Sequence, residues 1–128
     1  MSHFADATRV QLICPCGNVP LLRAANAILA KLLEEVVIQE WGGFTYSSLT
    51  PPVFFGQFWD TSQQGQPPAW EEDQSVLITI DAPAQTVSSV LTYFTALREM
   101  VNSVYQEVGE SQKELWITAH PLSILVDD

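Results

Sequence analysis

The sequence predicts a single α+β domain in which a four-stranded antiparallel sheet carries two helices on one face. Three observations lead there. Residues alternate between two faces at 8–14, 74–82 and 113–120, as they do in strands whose two faces differ. Two longer stretches repeat their apolar residues at steps of three and four, the period of an amphipathic helix. Proline and glycine separate these segments at the places where one period gives way to the other.

In the first strand Val10, Leu12 and Cys14 fall on one face and Arg9, Gln11 and Ile13 on the other. Pro15 and Gly17 end it. Asn18 is placed to cap a helix, and Pro20 sits in a first turn, where its missing amide hydrogen is not needed. Leu21, Ala25, Ile28, Leu29, Leu32 and Val36 make the apolar stripe of a helix expected to run to Trp41, where Gly42 and Gly43 stop it.

Residues 44–60 are rich in aromatic and β-branched side chains but contain Pro51 and Pro52, so a bent or bulged second strand is expected. Residues 61–69 lack periodicity and read as an exposed loop. Glu71, Glu72 and Asp73 form an acidic run that reads most simply as a solvated loop edge, although paired carboxylates can also serve acid–base chemistry. The third strand sets Val76, Ile78 and Ile80 against Leu77, Thr79 and Asp81. From Val87 through Leu91, Phe94, Leu97, Val101 and Val104 to Val108 runs a second helix, closed by Gly109. In the fourth strand Leu115, Ile117 and Ala119 oppose Trp116, Thr118 and His120; Pro121 ends it, and 124–126 can add a short edge strand.

The order strand, helix, strand, strand, helix, strand is that of a ferredoxin-like βαββαβ sandwich, occupying residues 1–128 as one domain. Both helical stripes are satisfied on one sheet face. The other face is left uncovered, and strand parity gives it Gln11, Ile13, Leu77, Thr79, Trp116, Thr118 and His120. A mixed face of this kind suits a second subunit or a shallow ligand site. A homodimer through the free face is therefore expected, with a small apolar or aromatic ligand held near Trp59, Tyr46, Trp116, Gln11 and Thr79.

Composition excludes several other functions. Five basic residues against fifteen acidic ones give a formal charge of −10, which disfavours nucleic acid and anionic lipid. No run is long and apolar enough for a membrane helix, and the first nine residues lack the basic-then-apolar order of an export signal, so a cytoplasmic location is expected. Cys14 and Cys16 are one residue apart, too close for a bridge that would constrain much chain, and read as an inert reduced pair. With His3 and His120 the only imidazoles, neither a metal site nor a cofactor is expected.

His120 is the candidate catalytic residue, since imidazole titrates near neutrality, although a solvent-bonded strand-end histidine is the simpler reading. No serine lies in a nucleophile elbow, and Gly42 and Gly43 follow a helix instead of preceding one, unlike a phosphate loop.

Gly42-Gly43-Phe44-Thr45, Gly56-Gln57-Phe58-Trp59-Asp60, Glu71-Glu72 with Ser75, and Gly109, Gln112 and Glu114 resemble a group of small bacterial ferredoxin-like proteins of unknown function. More distantly, the layout is similar to dimeric α+β barrel proteins, which include cofactor-free monooxygenases and isomerases. That resemblance implies an alternative, an enzyme using His120 with Tyr46 or Glu71 and Glu72 assisting. A third expectation is an accessory subunit that binds a partner through a sheet edge or the 61–69 loop.

Overall fold

Period-two alternation builds the sheet. In the computed structural model, which describes residues 1–47, 49, 54–60, 65–111 and 115–128, with backbone alone for 54–60, 71 and 72, β1 spans Ser2–Pro15 and β4 spans Ala69–Pro83. The two run antiparallel with Val10 opposite Ile80, Leu12 opposite Ile78 and Cys14 opposite Val76. All six are fully buried. β5, Ile117–Asp127, pairs with the other edge of β1, setting Ile117 opposite Leu12 and Ala119 opposite Val10. The cross-strand pairs on this face thus come from the alternation itself, and each large aliphatic buried here contributes roughly 1.5–3 kcal/mol.

The helices cover that face. α1, Val19–Leu33, begins where the Asn18 side chain accepts the Leu21 N–H at 2.9 Å, with Pro20 in the first turn. It buries Ala24, Ala25, Ile28, Leu29 and Leu32. The helix does not run on to Trp41. It stops at Glu34, Glu35 turns extended (φ −76°, ψ 113°), and a short α2 resumes at Val36–Glu40. The β-branched run Val36-Val37-Ile38 weakens helix continuation, and the break rephases the chain: Val36 is exposed and Ile38 is buried. Gly42 and Gly43 then take φ of 101° and 112°, a backbone that favours glycine.

α3, Leu91–Glu107, starts later than Val87, and its buried stripe is Phe94, Leu97, Val101, Val104 and Tyr105. Gly109 at φ 76° closes it, the Glu110 N–H reaching back to the Tyr105 carbonyl at 2.9 Å. Trp41 packs edge-on against Tyr93 at 5.4 Å and stacks on Phe94 at 5.9 Å, joining the end of the first helical segment to α3.

The second strand comprises two described pieces. β2, Thr45–Tyr46, and β3, Phe54–Asp60, both pair with β4, and between Tyr46 opposite Ile78 and Phe54 opposite Ser75 the chain takes eight steps against three on β4. Pro51 and Pro52 lie in that interval, outside the described residues. The order of strands is β2-β4-β1-β5, with β3 a further partner of β4. This is the ferredoxin-like α+β arrangement expected from the sequence.

β4 and β5 also depart from expectation. The acidic run Glu71, Glu72 and Asp73 lies within β4, opposite Phe58, Gln57 and Gly56, and is not a loop edge. β5 passes straight through Pro121, which sits opposite Thr8; an end strand has one side without a ladder partner, so a proline is tolerated.

Candidate functional site

The uncovered face is built from the odd-numbered residues of β1 and β4 and the even-numbered residues of β5, and register sorts them into three cross-strand rows. In the first, Ile13 lies opposite Leu77 and its N–H donates to the Trp116 carbonyl at 3.3 Å. Ile13 is 45% and Trp116 63% exposed, so this row is an apolar patch open to solvent. In the second, Thr45, Thr79, Gln11 and Thr118 stand side by side, with the Gln11 amide donating to the Thr79 hydroxyl at 3.3 Å. In the third, Asp81, Arg9 and His120 are neighbours.

Arg9 donates through Nε to Asp81 Oδ1 at 2.8 Å and through Nη2 to Oδ2 at 3.0 Å. This fork holds the guanidinium more firmly protonated than usual, first through the hydrogen bonds and then through the charge of Asp81. Both side chains are about one-third exposed, so the pair is worth less than about 1 kcal/mol to stability. Its chief effect is to orient Arg9. The His120 side chain is exposed and, among the described residues, makes no hydrogen bond or ion pair.

The residues expected to form one ligand site divide. Gln11, Thr79, Trp116 and the candidate base His120 share the uncovered face in adjacent rows. Tyr46 does not join them: opposite Ile78, it takes the helix-covered side, where its ring meets Phe44 at 6.1 Å. The discrepancy is one of parity, since a single step along β2 reverses the face. Trp59 pairs through its backbone with Trp70 near the far end of β4, away from Thr79, and its side chain is outside the described residues.

A second feature is invisible to strand parity. α3 does not cover the β5 edge completely, leaving an apolar groove of about 200 Å³ floored by Val10, Ile117 and Ala119, walled by Leu91 and Phe94, and rimmed by Arg98. Leu91 is 66% exposed there, although it belongs to the apolar stripe read from the sequence. Helical periodicity identifies the stripe but not how much of it the sheet reaches.

Under the helices lies a small polar cluster. The Tyr105 side chain is fully buried, its hydroxyl donates to the Pro15 carbonyl at 2.7 Å, and burial pushes its ionisation well above the ordinary range. Burial likewise pushes the Cys14 thiol up to about 12, with the nearby Tyr105 hydroxyl acting in the opposite sense. Cys16 is raised by burial and then by the nearby Asp73, whose own carboxyl is raised by burial. Both thiols stay protonated at neutral pH and are therefore poor nucleophiles. Among the described residues no three His, Cys, Asp or Glu side chains are arranged so that they could hold a metal ion.

No protein-family model matches the chain, and no curated protein sequence does either. Solved structures do. The divalent cation tolerance protein Cut A1 of Thermus thermophilus is 19% identical, with a TM-score of 0.51 over 91% of this chain and 84% of its own. The B. subtilis GlnK–ATP complex is 11% identical, with a TM-score of 0.51 over 91% and 82%. Identities this low bear on architecture alone, and the chain is thus similar to both proteins in its ferredoxin-like α+β fold.

Proposed function

We propose that this chain is a self-associating protein that binds a small ligand on its uncovered sheet face and acts as a regulator, not a catalyst. One observation carries the reading: the apolar row of Ile13, Leu77 and Trp116 lies directly beside the polar row of Gln11, Thr79 and Thr118. An aromatic or aliphatic group can rest on the first while a polar group bonds to the second. A second copy laid over the same face would bury the exposed Ile13 and Trp116 and turn a flat site into an enclosed one.

The ligand's charge is limited by the same geometry. On the described part of this face Arg9 is the one permanent cation, and Asp81 already engages one edge of its guanidinium, through Nε and Nη2, and offsets its charge. That arrangement suits a neutral or singly charged molecule better than the triphosphate carried by the GlnK complex. Catalysis by His120 is the weaker reading, because a general base needs an orienting partner and no side chain among the described residues bonds to its imidazole.

The test is Trp116 fluorescence and chemical-shift mapping with a panel of small aromatic and aliphatic compounds. Shifts grouped on Gln11, Thr79 and Trp116, and lost in Gln11→Ala, are the expected result; binding that maps elsewhere, or none across the panel, would overturn the assignment.

A further inference from the structure

Past the end of β4 the sheet narrows to a two-stranded ribbon. β4 stops at Pro83, opposite Ala7, while β1 continues back to Ser2 with only β5 beside it, Asp6 facing Ser123, Phe4 facing Leu125 and Ser2 facing Asp127. A two-stranded ribbon without a covering layer is marginal in water. Here one face presents Phe4 and Leu125, 71% and 62% exposed, and the other presents Ala5, Leu122, Ile124 and Val126. Beyond the Asp6 carbonyl, which accepts the Ala84 N–H at 2.9 Å, both outer backbone edges of the ribbon are also unpaired among the described residues.

The groove between α3 and β5 is the complementary shape on the same chain. Its volume of about 200 Å³ is below the roughly 300–1,000 Å³ of pockets that enclose drug-sized ligands, and fits one large side chain. Charge agrees as well. Phe4 and Leu125 are flanked on their own face by Asp6 and Asp127, whereas the groove is rimmed by Arg98, which has no ion pair among the described residues.

We infer that the ribbon of one copy seats Phe4 in the α3–β5 groove of a second copy, with Asp6 or Asp127 meeting Arg98. The occupant is another copy of this chain, because its own ribbon carries the apolar anchor and the acidic flank that the groove lacks. The contact joins unlike surfaces and is therefore head-to-tail, distinct from the face-to-face contact of the proposed function. The inference rests on the self-association in that proposal and adds a second surface to it.

The experiment uses the full chain in sedimentation velocity and light scattering, with circular dichroism and urea unfolding to confirm that every variant folds. Phe4→Asp removes the anchor, Ala119→Phe fills the groove floor, and Arg98→Glu reverses the rim. Each is expected to weaken association at least tenfold. Mixing Phe4→Asp, which keeps a groove, with Ala119→Phe, which keeps an anchor, should restore one contact that neither makes alone. Asp6→Arg together with Asp127→Arg should recover part of what Arg98→Glu loses. Folded Phe4→Asp and Ala119→Phe variants that associate as the wild type does, or a mixture no larger than its components, would overturn the inference. A loss seen only with Trp116→Glu would leave face-to-face association standing and exclude the ribbon contact.

Discussion

Removing one oxygen from the core tests how the helix layer is fastened to the sheet. Tyr105 is the largest fully buried side chain among the described residues, and its hydroxyl ends on the Pro15 carbonyl at 2.7 Å, tying α3 to the last residue of β1. Tyr105→Phe keeps the ring and its packing, so almost no apolar burial is lost. What is lost is one net hydrogen bond, about 1 kcal/mol, with a further penalty for leaving a carbonyl unsatisfied if no water reaches it. A destabilisation of about 1–2 kcal/mol is expected, seen as a lower urea midpoint at unchanged slope. For a chain of this length that corresponds to roughly 3–8 °C in Tm. A midpoint shifted by less than about 0.5 kcal/mol, the range of an ordinary surface substitution, would refute the reasoning.

Alkaline stability follows from the same cluster. Cys14 ionises at about 12 when folded against an ordinary value of 9.0, so between those values the unfolded chain releases a proton that the folded chain keeps, and stability falls as pH rises. Cys14→Ala should flatten the decline in urea stability above pH 9; an unchanged slope would contradict the assignment. Ala84 takes a left-handed φ of 58° while its N–H donates to the Asp6 carbonyl at 2.9 Å, so Ala84→Gly should be neutral or stabilising by up to about 1 kcal/mol by thermal unfolding, and a clear loss would refute the strain. Thr8 is buried and donates to the Gln85 carbonyl at 2.6 Å; Thr8→Val should cost about 1–2 kcal/mol in urea, and no cost would mean that the carbonyl is satisfied otherwise.

Much of this architecture is legible in the sequence because two periods carry it. Strand parity alone places Gln11, Thr79, Thr118 and His120 on one face, and the observed register keeps them there. Parity fails where an element is short: two residues of β2 supply too little pattern to orient Tyr46. The break at Glu34 and Glu35 carries no glycine or proline, and only the burial of Ile38 in place of Val36 reveals it. The acidic residues of β4 read as loop because charge is a sign of exposure, yet all three lie in the ladder opposite β3 and Asp73 is half-buried. Neither the ribbon nor the groove could be read in advance, since each depends on where β4 stops relative to β1 and β5 and on how far α3 reaches across the sheet. The signal for the ribbon was present in the apolar spacing of Leu122, Ile124 and Val126, but Pro121 masked it as a strand end.

The central claim is that the uncovered face, with Ile13 and Trp116 open on it, is occupied by a second copy. Light scattering of the wild type and of Ile13→Glu with Trp116→Glu, across micromolar concentrations, tests it most directly. The account predicts a wild-type mass above the 14.2 kDa of one chain and a lower mass for the folded double variant. A wild type that remains at 14.2 kDa throughout, or a double variant that assembles as the wild type does, would contradict it.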